Sequence, residues 1–173
     1  VYSPADDLID RIVGIQAGDA LHAVRHQRDK VAAATQGSYD ALFDPALAGV
    51  SLTDRLLVAL YACALTPAPE LAEHYRTRLN EQGADADLIA AVENDKIDGV
   101  PDTALRTILA FTRTLILDPV KGDKAALETL PAAGVSTPDV VAIAQLIAFL
   151  SYQVRLVASL KAMAAARAQG VAA

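Results

Sequence analysis

Ten consecutive apolar residues at positions 56–65, Leu-Leu-Val-Ala-Leu-Tyr-Ala-Cys-Ala-Leu, set the strongest limit on how this chain can fold. Ser51-Leu-Thr-Asp54 precedes them and reads as a helix start, with a capping oxygen and an acid in the first turn. Thr66-Pro67-Ala68-Pro69 follows and ends the run, because proline lacks an amide donor and clashes with the preceding turn. A helix that is apolar on every side must be covered on every side. The remaining chain, 173 residues in all, suffices for one such core and is short for two.

The covering segments also read as helices. Ser3-Pro4-Ala5-Asp6 predicts a start capped by Ser3, with Leu8, Ile9, Ile12 and Val13 as one stripe ending at Gly14. Asp19 opens a segment with Leu21 and Val24, and Asp29 to Phe43 places Val31, Ala34, Tyr39, Leu42 and Phe43 inward. After the proline break, Leu71, Tyr75 and Leu79 mark a helix from about Glu70 to Asn80. Shorter helices are expected around 87–93 and 124–130, a longer one carries Leu105 to Ile116, and a long final one starts at Thr137-Pro138-Asp139. No alternating strand pattern occurs, so the fold class is all-α in a single domain. Residues 1–28 read as an N-terminal helical extension and 29–165 as the core.

Composition narrows the function classes. A net charge of -6 argues against a nucleic-acid partner, which needs clustered Lys and Arg. The single cysteine, Cys63, excludes an internal disulfide and a thiolate-rich metal site, and suits a reducing cytoplasm. The longest apolar runs, 56–65 and 140–150, fall short of a bilayer span, so no membrane partner is expected. With 53% hydrophobic residues, the surplus over one small core points to a homo-oligomer.

Three features bear on chemistry. His22 and His26 lie four apart with Asp19 a turn earlier, a spacing that suits a divalent metal. Their neighbours Arg25, Arg28 and Lys30 would repel one, so the expectation is a solvated helix face, no metal and no cofactor. Cys63 shares a face with Leu56 and Leu60 and reads as a buried, inert thiol. Glu70, His74 and Arg78 recur every four residues beside the Leu71–Tyr75–Leu79 stripe. Carboxylate next to imidazole supports acid–base work, and the same spacing also makes an ordinary surface ion-pair ladder.

Residues 56–79 and 105–160 together resemble the carboxymuconolactone decarboxylase and AhpD-like (alkylhydroperoxidase D-like) superfamily. That family carries an early acidic residue in a buried helix and then C-x-x-C-x-x-x-H at the start of the next. Here Arg55, beside Asp54, stands at the early acidic position, Pro67 and Glu70 at the cysteines, Pro69 at the intervening histidine, and His74 at the last. The second stretch resembles the C-terminal core and closing helix, with Arg155-Leu156 at a common Arg-Leu position, while Tyr39, Leu42 and Phe43 match a Tyr-x-x-Leu-Phe lead-in.

Without the cysteine pair, a thiol peroxidase cycle lacks both its attacking and its resolving thiol. The resemblance then implies a cysteine-independent lyase or proton-transfer enzyme on a small acidic or lactone-like substrate. His74 and Glu70 would be catalytic, and Arg55, Arg76 and Arg155 would hold an anionic ligand. The alternatives are an alkylhydroperoxidase-related antioxidant protein, or a non-catalytic assembly subunit that partners a cysteine-containing homologue. The family implies a trimer or hexamer.

Overall fold

A computed structural model describes residues 3–170, and every regular element among them is helical. In chain order these are α1 (Leu8–Val13), α2 (Ala20–Arg25), α3 (Asp29–Leu42), α4 (Leu52–Leu65), α5 (Pro69–Glu81), α6 (Ala86–Glu93), α7 (Thr103–Leu117), α8 (Lys124–Ala132) and α9 (Thr137–Ala168). Short 3-10 turns occupy Pro4–Asp6, His26–Arg28, Ile97–Gly99 and Pro119–Lys121.

α4 is the centre. Ser51 Oγ accepts the Asp54 amide at its start, and every residue from Arg55 to Cys63 is buried. α5, α6, α7 and α9 pack around it. Leu56, Leu57 and Leu60 are wholly enclosed, each contributing roughly 1.5–3 kcal/mol of transfer free energy.

Arg55 is the exception in this apolar segment, buried with 2% exposure. Its guanidinium donates to the carbonyls of Leu42, Asp44 (3.0 Å), Val50 (3.0 Å) and Ser51 (3.4 Å). Leu42 is the last residue of α3, whose final carbonyls have no intrahelical partner, so one cation satisfies a helix end and the connection that follows it. The same connection is tied to α9: Val50 N–H donates to Asp139 Oδ1 at 3.1 Å. Gly49 precedes it at φ +94°, and a Cβ there would overlap that carboxylate oxygen.

The sequence expectations differ from the structure in three places. Ser3 makes no capping bond. Asp7 caps α1 instead, accepting from the Asp10 amide at 3.0 Å. On α3 the buried residues are Ala32 and Thr35, while Val31 and Ala34 are exposed. Small Ala32 suits a close approach of α3 to α9, and Thr35 Oγ1 lies 3.1 Å from the Tyr152 hydroxyl of α9. Finally, α9 runs 32 residues with an 18-residue window of mean hydropathy 1.8, long and apolar enough to cross a membrane by length and composition. Its buried residues, Ile143, Leu146, Ile147, Leu150, Gln153, Val154, Val157 and Leu160, follow a three-and-four spacing that makes one seam against the core. Gln153, fully buried, accepts the Tyr75 hydroxyl of α5 at 2.5 Å. Leu8, Ile9 and Leu21 of the first two helices are also buried, with α1 packed on α9.

Arg55→Ala would leave several carbonyls between α3 and α4 without a donor. Urea denaturation is expected to show a loss of about 3 kcal/mol or more, whereas a loss below about 1 kcal/mol would contradict this role.

Candidate functional site

α3 and α5 bring three polar side chains together at the edge of the core. Tyr39 lies on α3, and His74 and Arg78 lie one turn apart on α5. The Tyr39 hydroxyl sits 2.7 Å from His74 Nε2 and accepts from Arg78 Nη1, also at 2.7 Å. Arg78 lies over the rings of Tyr39 and Phe43, at 5.6 and 5.4 Å from their centroids.

A guanidinium only donates, so the phenol oxygen receives Arg78. Either tautomer of a neutral imidazole fits the remaining bond: the phenol donates to Nε2, or Nε2–H donates to the phenol's second lone pair. The electrostatics favour that neutral ring: burial, then the positive charges of Arg78 and Arg11, lower the His74 pKa to about 4. Burial raises the Tyr39 pKa, with Arg78 opposing that shift. Tyr39 borders two clefts. One, of about 600 Å³, is also lined by Arg11, Gln36 and Asp40, and the other, of about 400 Å³, by Phe43, Asp44 and Arg78.

The residues expected from the sequence occupy separate places. Glu70 pairs with Lys161 of α9, which holds its carboxyl below the ordinary value, and makes no bond to His74. Arg55 is spent on backbone carbonyls. Arg76 bridges Glu73 and Glu93, and Arg155 stands on an exposed face of α9, donating to Ser151 O at 3.1 Å. Cys63 is buried, and burial pushes its thiol up to about 12, so no thiolate forms near neutrality. Of the expected set, His74 alone belongs to the Tyr39 cluster. Tyr39 and Arg78 complete it; Arg78 had its signal in the four-residue spacing from His74, whereas Tyr39 read only as a core aromatic.

A second cluster lies in the N-terminal helices. Asp19, expected beside His22 and His26, accepts the Gln16 amide at 2.8 Å instead. Asp10 takes that place, and potential ligand atoms of Asp10, His22 and His26 lie within 4.8 Å of one another. No protein-family model matches the chain, and no curated protein matches its sequence.

Because the fold favours neutral His74, its contribution to stability is complete above about pH 6.5 and is lost as pH falls toward about 4. In an NMR pH titration the His74 ring resonances are expected to move with a midpoint near 4. A midpoint at or above the ordinary imidazole value of about 6.5 would contradict a ring held neutral by its surroundings.

Proposed function

We propose that this chain is a cysteine-independent lyase or proton-transfer enzyme acting on a small acidic or lactone-like substrate, and the proton-transfer step is the one its geometry supports. The observation that carries the reading is the neutral His74–Tyr39–Arg78 chain beside two clefts, one of which also holds Arg11. In this reading Arg11 and Arg78 attract the substrate carboxylate. Tyr39 takes a proton from the carbon next to the substrate carbonyl while passing its own to His74 Nε2, and Arg78 stabilises the phenol oxygen during the exchange. The reverse transfer returns a proton to the product.

Substrate would also prepare its own base. Two of the causes that depress His74 are cations, and a bound carboxylate offsets them, so the imidazole becomes more basic once the ligand is present.

In this reading the chain is a relative of the carboxymuconolactone decarboxylase and AhpD-like superfamily that works without the redox pair, a reading supported by the resemblance of residues 56–79 and 105–160. The inert Cys63 supports that choice over a thiol peroxidase and suits a reducing, cytoplasmic setting. An assembly role is favoured by a separate observation: only 44% of the apolar window of α9 is buried, and Val31 and Tyr152 are 53% and 42% exposed. A homo-oligomer, trimer or hexamer, would cover that surface, and a cysteine-containing homologue is the alternative partner.

A screen of lactone and carboxylate substrates tests the enzyme reading. Tyr39→Phe and His74→Ala are expected to lower turnover by about 10²-fold or more, and Cys63→Ser to leave it unchanged. Full activity in both relay variants, or loss of activity in folded Cys63→Ser, would contradict it.

A further inference from the structure

The polar cluster on α1 and α2 plays no part in the proton relay, yet it is more deeply buried. We propose that Asp10, His22 and His26 bind a divalent transition-metal ion, with a coordination position open to solvent. Two imidazoles and one carboxylate are a ligand set suited to zinc and its first-row neighbours, and a three-ligand site leaves room for water or a further ligand.

Several observations converge on this site. The three side chains come from separate turns of chain and offer ligand atoms within 4.8 Å of one another. Asp10 Oδ2 and His26 Nε2 are 2.6 Å apart, and the His22 and His26 rings lie 4.2 Å centroid to centroid. The His26 side chain is 8% exposed and its Nδ1 is sealed from solvent without a hydrogen-bond partner. A cleft of about 520 Å³ reaches Asp10 and His22 from outside, giving an ion a route in.

The neighbouring charges are mixed, with Arg11 lining the same cleft. Arg25 donates through Nη2 to both oxygens of Asp7 at 2.7 Å and through Nε to Asp10 Oδ1 at 2.6 Å. Its bond to Asp10 Oδ1 orients the carboxylate as an outer-shell partner does, with Oδ2 directed at the imidazole. Of the three cations expected to repel a metal, Arg28 and Lys30 are exposed, whereas Arg25 is buried against Asp10. On binding, the ion takes the place of the hydrogen between Asp10 Oδ2 and His26 Nε2, and the imidazole that ligates through Nε2 carries its one hydrogen on Nδ1. The pair then opens to about 3.3 Å, the separation of two ligands each about 2.0–2.1 Å from a tetrahedral zinc.

The chain contains three histidines in all, which makes the test clean. Zinc is titrated into the full chain, free of any polyhistidine tag, by calorimetry, and thermal unfolding is followed with and without zinc. Wild type is expected to bind one ion per chain and to gain thermal stability from it. His22→Ala, at a half-buried position that leaves the Asp7–Asp10–Arg25 bonds intact, should weaken binding at least about tenfold while its metal-free unfolding temperature stays near wild type. His74→Ala and Cys63→Ser should bind zinc as wild type does. No saturable binding, wild-type affinity in His22→Ala, or an equal loss in His74→Ala would each overturn the site. Because the relay does not include these residues, failure here leaves the proton-transfer reading standing.

Discussion

Complete enclosure of α4 is the constraint on which the rest of the structure depends. Nine successive buried residues, Arg55 to Cys63, require neighbours on every side, and α5, α6, α7 and α9 supply them. Enclosing a helix in this way also encloses its beginning, where polar backbone must still be satisfied. Arg55 meets that need by donating to carbonyls before and within the first turn. Its further bonds to Leu42 and Asp44 carry the end of α3 with it. The position of Tyr39, less than one turn from that end, follows from the same clip. A cation in the core therefore sets where the relay stands.

At the relay, charge and burial act together. His74 is partly removed from water beside cations, and both conditions favour the neutral ring. Tyr39 satisfies Arg78 and His74 with one oxygen, so neither α5 side chain needs a carboxylate partner. Glu70, the carboxylate nearest in sequence, is drawn instead to Lys161 on α9. The contrast with the N-terminal cluster is instructive. There, Arg25 bonds both Asp7 and Asp10, and Asp10 also pairs with His26.

Much of the fold was legible in the sequence because its signals are local. The apolar run of α4, the Thr66–Pro69 break and Gly14 mark boundaries through backbone chemistry within a few residues. The site was less legible because its bonds are not local. Tyr39 and His74 are 35 residues apart, Asp10 and His26 are 16 apart, and Glu70 and Lys161 are 91 apart. Spacing along one helix paired Glu70 with His74, but a partner on another helix won each of them. Arg55 read as a ligand-binding cation because its true partners are main-chain carbonyls, which no side-chain pattern announces. The face of α3 was misplaced for a related reason: a close helix contact selects small Ala32 over larger Val31, against simple hydrophobicity.

The central claim is that an anionic ligand settles among Arg11, Arg78 and Tyr39 and makes His74 a stronger base. Its most direct test is the NMR titration midpoint of His74 measured with saturating succinate against the ligand-free value. The account predicts that succinate raises the midpoint by about one pH unit or more, and that Arg11→Gln blunts the rise. An unchanged midpoint, with succinate shown to be bound, would contradict it.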